Sequence, residues 1–456
     1  MLHRVDGPAH ARVHGRRLLT AVLTLALAVA AIAATAGGAT AAPSAAVGVD
    51  TSTNTVKVVV LGLDVQALVD AGVVPDLGKP ADQFKQMENE INSAGRAGKY
   101  KFDVVVKLLP SQPKPEDYQA ACLYATEEQK AFAVVFASVF DESLARCITI
   151  DHKTPAIGNV GFTAKLYQDA KGYLFTDGNT GMSVDRQMAA WAEVSAQQGL
   201  LKGKKIGVVG TDGSAPVLNT LSNVLIPTLK KLGYKVTDKI VLPCANNPTT
   251  CAQQDVAVQK LKNDGVNFVF NAADVLAGET LVAEAAKIGY SPAWTANRNN
   301  TTDTVAKFFK PVTDAWSGAN GVSVTWPDSE FSQETKTCNS NAAKGGLFAY
   351  TTDQNAYAAY GQYCIMMNLI AQGVKGVSGT LTTPAFLTSL LAIGTIPSNS
   401  GPSGTWKAGK YDAGDHVYAA KYSKSGNDGQ GGFLPVGGKA KAIAVSTTTS
   451  GASTSK

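Results

Sequence analysis

The chain has 456 residues, more than one compact core holds, and its 45% apolar and 17% charged composition is globular rather than disordered. The formal net charge is +5, but Arg4, Arg12, Arg16 and Arg17 against Asp6 fall in the first 42 residues, so the remainder is close to neutral. No run of Lys and Arg makes a stripe that would hold phosphates, which argues against a nucleic-acid partner.

In chain order, a basic stretch ending in Arg16-Arg17 precedes the apolar run LLTAVLTLALAVAAIAA, and small residues follow in TAGGATAAPS. This order predicts a signal peptide over 1–42, cut near Ala41 or Ala42, and then a linker over 43–54. The run is Ala-rich, short for a bilayer span and without a basic stop-transfer flank, so cleavage is expected rather than an uncleaved anchor. Arg16-Arg17 before Leu18-Leu19 matches a twin-arginine signal only in part. No Cys stands near the cut, so nothing there invites lipid attachment. No later segment is apolar for the ~20 residues that cross a membrane. A secreted, extracytoplasmic location is therefore expected, in a periplasm-like space or at the cell surface.

VKVVVLGL (56–63), FDVVVKLL (102–109), FAVVFA (132–137) and PAIG (155–158) read as buried strands. Between them, Phe84, Met87 and Ile91 are spaced for a helix that Gly95 stops, a second helix covers about 115–130, and a third carries Leu144 and Cys147. Apolar runs alternating with amphipathic helices make βαβ units and a parallel sheet covered on both faces. After a helix near 183–198 the alternation restarts with KIGVVG (205–210), KVTDKIVL (235–242), VNFVFNAAD (266–274), PAWTAN (292–297) and GVSVTW (321–326). Leu218, Leu221, Leu225, Leu229 and Leu232 mark one helix of this series; further helices cover about 251–263 and the stretch with Leu281, Ala285 and Ile288. Long helices follow over about 351–372 and 382–393, then irregular chain with one strand, HVYAAKY, and a Ser/Thr-rich tail expected to be disordered. The fold class is α/β, with two doubly wound parallel-sheet halves.

All six Cys lie beyond the expected leader; outside the cell an even number favours disulfides, and 15 pairings are open. Only His152 and His416 remain after the leader and no C-x-x-C occurs, so no metal or cofactor is expected. Catalytic patterns are equally thin. GMSVD (181–185) lacks the second Gly of a nucleophile elbow, and Gly210-Thr211-Asp212-Gly213 lacks the Lys of a phosphate loop. His152 and His416 read as surface residues, and Asp141-Glu142 as a solvated helix start.

The segment FKQMENEINSAGRAGKYKFDVVVKLLP, the strand and turn KIGVVGTDGSAP, the aromatic helix at 351–372 and the ending GDHVYAAKYSKSG resemble the type I periplasmic-binding-protein fold. The resemblance is closest to the branched-chain amino-acid-binding branch of ABC-transporter substrate-binding proteins and covers about 55–440. It implies a first lobe of 55–180 with 328–402, a second of 181–327 with 403–440 and a three-strand hinge; the Ser/Thr-rich remainder over 441–456 is the expected disordered tail. It further implies a monomeric, non-enzymatic binding protein that closes on a small polar molecule, an amino acid or related carboxylate or amide, and delivers it to an ABC-transporter permease. A sensor that presents its closed form to a receptor, and a secreted hydrolase on the same scaffold, are the alternatives. On this fold Cys122 pairs with Cys147, Cys244 with Cys251 across a short loop, and Cys338 with Cys364, tying an inserted loop to the long helix.

Position in that fold nominates the ligand contacts. The first lobe offers Ser138, Phe140, Asn159, Gly161, Phe162 and Thr163; the second offers Asp212, Ser214, Asp274, Asn297, Arg298 and, near the hinge, Trp326. An amino-acid ligand would set its ammonium on Asp274 and its carboxylate on Ser138, Thr163 and nearby amides, whereas the bland role for Asp274 is a helix N-cap. Phe140, Phe162 and Trp326 are either stacking platforms or ordinary core, and Arg298 on its loop reads as solvated.

Overall fold

A computed structural model describes residues 44–446 except 71–75, 77, 140, 179, 214, 245–250, 274, 298–314, 325, 328–329, 348–353 and 427–431. The leader expected over 1–42 lies outside the described residues. Two sheets organise the chain. In the first, five parallel strands, Thr55–Leu63, Lys101–Leu109, Ala133–Ala137, Ala156–Gly158 and Leu174–Thr176, lie in the spatial order second, first, third, fourth, fifth. In the second, Ile206–Thr211, Val236–Leu242, Phe268–Asn271, Ala293–Ala296 and Asn320–Ser323 repeat that order. His416–Ser423 joins antiparallel beside Asn320–Ser323, and Gly432–Pro435 pairs with it in turn. The strand order reverses beside each sheet's first strand, and crevices at such switch points bind ligands outside the strands' carboxyl ends.

Both faces of both sheets are covered. On one face of the first sheet Phe84, Met87 and Ile91 of the helix Pro80–Ser93 pack with Ile365, Leu369 and Ile370 of the helix Gln354–Lys375. On the other, Cys122, Leu144, Ile148 and Leu166 pack against Val59, Leu61 and Val134. Trp191, Leu221, Leu225 and Leu229 cover one face of the second sheet, and Val258, Leu261, Leu281 and Trp316 the other. The structure forms the disulfides Cys122–Cys147, Cys244–Cys251 and Cys338–Cys364.

Several elements differ from the sequence reading. The Leu218–Leu232 helix is broken into Ala215–Thr220, a π-turn Leu221–Leu225 and Ile226–Lys231. Pro227 carries no N–H for the regular ladder, and the Ile226 N–H reaches back five residues to the Leu221 carbonyl. Around Cys338 the expected loop is a helix, Gln333–Lys344, capped by Ser332, whose hydroxyl accepts from the Thr335 N–H. Residues 441–446, assigned to the tail, include the strand Ile443–Ala444, which pairs with His416 and Val417.

Between the sheets the chain passes through a buried charged cluster. Arg186, on the helix Val184–Gln197, pairs with Asp412 at 2.8 Å and Asp415 at 3.1 Å, and Lys410 pairs with Asp415 at 3.0 Å. Asp412 also accepts from the Ser183 N–H at 2.8 Å, and residue 412 bridges Thr176 at the end of the first sheet.

Candidate functional site

The site is built where strands end. Ser138 follows Ala133–Ala137 and takes a left-handed φ of 63°, unusual for a residue with a Cβ. Its N–H donates to Asn159 Oδ1 at 2.9 Å, and Asn159 follows the next strand, Ala156–Gly158. Asn159 Nδ2 donates to Gln362 Oε1 at 3.1 Å, and Gln362 Nε2 donates to Thr180 Oγ1 at 2.8 Å. Ser138 Oγ lies 3.0 Å from Tyr363 Oη. The Tyr363 ring stacks on Phe84 at 5.3 Å, and burial raises its phenol above the ordinary range. Gln362 and Tyr363 were missed in the sequence. Their helix was noted for its aromatic residues, and only its packing against the first sheet brings these two to Ser138 and Asn159.

Gly161 lies against the Met182 carbonyl, where a Cβ would come within 1.7 Å, and its N–H donates to the Thr180 carbonyl at 3.0 Å. Phe162 is not a stacking platform. It is 2% exposed and packs edge-on to Phe136 and Tyr167, because its side chain turns under the loop into the core. Thr163 caps the helix Ala164–Ala170, its hydroxyl accepting from the Leu166 N–H at 3.4 Å. The Thr163 N–H donates to Glu142 Oε1 at 2.8 Å and the Ala164 N–H to Asp185 Oδ2 at 2.7 Å. Burial raises the Asp185 carboxyl, and nearby Asp412 adds to the rise.

In the second lobe, Asp212 ends Ile206–Thr211 on the surface, and its Oδ1 accepts from the Cys244 N–H at 2.5 Å. Asn297 is buried, with Nδ2 3.7 Å from Met188 Sδ. Trp326 is core, not platform: it is 4% exposed, 5.1 Å from the Tyr418 ring, and lies where a Cβ on Gly401 would come within 2.3 Å. Phe140, Ser214, Asp274 and Arg298 lie outside the described residues. His152 and His416 are half-buried rather than surface residues. His152 lies beside Cys122 and Cys147, but both sulfurs are committed to their disulfide and offer no thiolate to a metal.

A groove of about 640 Å³ brings the two series together. Glu142, Thr163 and Lys165 line it from the first, Asn219 and Asn223 from the second, and Asp185 stands between them. Glu142, read in the sequence as part of a solvated helix start, is thus a lining residue that holds a backbone amide.

The two sheets, their repeated strand order and the groove define a type I periplasmic-binding-protein-like fold, and solved structures agree. A fatty-acid ABC-transporter substrate-binding protein of Thermomonospora curvata, 14% identical, superposes with a TM-score of 0.65 over 89% of this chain and 95% of that one. A solute-binding protein of an ABC transporter from R. palustris, in complex with 4-hydroxybenzoate, is 16% identical with a TM-score of 0.62 over 86% and 97%. A branched-chain amino-acid ABC-transporter protein of Thermus thermophilus, with bound valine, is 12% identical with a TM-score of 0.62 over 86% and 97%. No protein-family model and no curated protein matches the sequence.

Proposed function

We propose that this chain is an extracytoplasmic solute-binding protein, not an enzyme, that closes two lobes on a small polar molecule and delivers it to an ABC importer. The observation that carries the reading is the groove lined from both lobes by residues that follow strand ends. The polar wall of Ser138, Asn159, Gln362 and Tyr363 supplies neutral hydrogen-bonding groups beside the first sheet's switch point. Two solved structures similar to this chain hold valine and 4-hydroxybenzoate, small polar molecules, which supports a solute of that size. The leader read over 1–42 would export the chain to where such a protein works.

The test is a thermal-shift screen of the exported form against amino acids, their amides, aromatic acids, fatty acids and amines. A ligand at 100 times its dissociation constant adds about 2.7 kcal/mol of stability. A selective rise in melting temperature with one chemical class supports the reading; a flat response across all classes overturns it.

A further inference from the structure

The carboxylate expected at Thr163 and its neighbouring amides meets a place already taken. Gly161 N–H is held by the Thr180 carbonyl at 3.0 Å, and Phe162 N–H by the Tyr167 hydroxyl at 3.3 Å. Thr163 N–H is held by Glu142 at 2.8 Å and Ala164 N–H by Asp185 at 2.7 Å. All four consecutive amides thus have acceptors from within the chain, and two of those acceptors are carboxylates that line the groove. The groove's two lining cations do not offset them. Arg146 and Lys165 both reach Asp169, at 2.7 and 2.9 Å. Asp141, also lining, accepts from the Leu144 N–H at 2.8 Å. A ligand carboxylate arriving here would find no open amide from 161 to 164 and like charges beside it, which disfavours its charged form. The remaining carboxylate lone pairs suit a donor.

We infer that Glu142 and Asp185 are specificity-determining residues of the groove, and that the solute presents a hydrogen-bond donor there, a primary amide or an ammonium, rather than a carboxylate. This rests on the solute-binding reading above and narrows it.

The experiment compares matched acid and amide pairs by titration calorimetry on the wild-type exported chain. Isovalerate against isovaleramide, benzoate against benzamide, and decanoate against decanamide, pairs whose acids carry no other donor, are the probes, with decylamine as the ammonium. In any pair that binds, the amide is expected to bind at least tenfold more tightly than the acid. Glu142→Ala, which opens the Thr163 amide and removes a charge, is expected to shrink that ratio tenfold or more. Asp185→Asn keeps an acceptor for the Ala164 N–H while removing the charge, and is expected to shrink it as well. If Glu142→Ala does not fold, Asp185→Asn alone decides. An acid that binds the wild type as tightly as its amide, or a ratio unmoved in folded variants, overturns the inference and leaves the solute-binding reading standing. If no acid, amide or amine binds at all, the solute-binding reading falls and this inference falls with it.

Discussion

Arg186 and Asp412, 226 residues apart in the chain, form an ion pair at 2.8 Å with side chains only 4% and 7% exposed. The same guanidinium donates to the carbonyls of Gly414 at 2.7 Å and Ser446 at 2.8 Å, so it fastens the start of one helix, the segment 412–415 and the chain near 446 together. Removing one partner of a buried pair leaves a charge without compensation, and such losses run to about 3–5 kcal/mol. Arg186→Met is therefore expected to lower the urea-unfolding free energy by about that amount. A loss under about 1 kcal/mol would mean that Lys410, 3.0 Å from Asp415, holds the acids unaided.

Ser138 gives a second prediction. Its φ of 63° costs a residue with a Cβ roughly 1–2 kcal/mol, and the hydrogen bond to Asn159 Oδ1 at 2.9 Å holds it there. Ser138→Gly relieves the backbone but loses the hydroxyl near Tyr363, so stability is expected to change by less than about 1 kcal/mol. Ser138→Val places a β-branched side chain in the same conformation and is expected to cost more than about 2 kcal/mol. Equal urea midpoints for the two variants would show that the left-handed conformation is not maintained.

Much of the fold was legible because buried parallel strands are continuous apolar runs. VKVVVLGL, FAVVFA and KIGVVG each became strands beside their sheet's switch point. One short strand, Leu174–Thr176, was not read, its three residues too few to show a period, although the equally short Ala156–Gly158 was. Of the nominated ligand contacts among the described residues, Thr163 lines the groove and the others do not. Counting residues from strand ends found Ser138 and Asn159, which do meet. The same count nominated Phe162 and Trp326, whose side chains turn into the core, since a position after a strand does not fix a direction. Glu142 and Asp185 were passed over because the amides they hold lie 21 residues away, and local reading carries no signal for such a pair.

The disulfides allow a graded comparison. Cys122–Cys147 joins residues 25 apart, and Cys244–Cys251 only 7 apart. Loop-closure entropy then gives about 3.5 kcal/mol for the longer link and about 2.4 kcal/mol for the shorter. Replacing each pair by serines and measuring urea unfolding is expected to reproduce that order. The reverse order would mean that the short link stabilises chiefly through the native state, by holding the chain beside Asp212, whose carboxylate accepts from the Cys244 N–H.

Glu279 supplies the pH dependence. It lies on the helix Val275–Lys287, 1% exposed, and accepts the Trp316 indole N–H at 2.8 Å. Its other oxygen has no hydrogen-bond partner among the described residues, and burial pushes the carboxyl up to about 8 from an ordinary 4.5. Because the folded value is the higher one, the protonated form favours folding. Its contribution is complete below about 4.5 and is lost as pH rises to about 8. Integrated over that window, the loss reaches at most on the order of 5 kcal/mol. Glu279→Gln keeps the shape and cannot ionise, so its unfolding free energy is expected to fall less than the wild type's between pH 5 and pH 9. Urea titrations at both pH values, read by tryptophan fluorescence, measure the two slopes, and parallel slopes would show that Glu279 is already ionised in the folded chain.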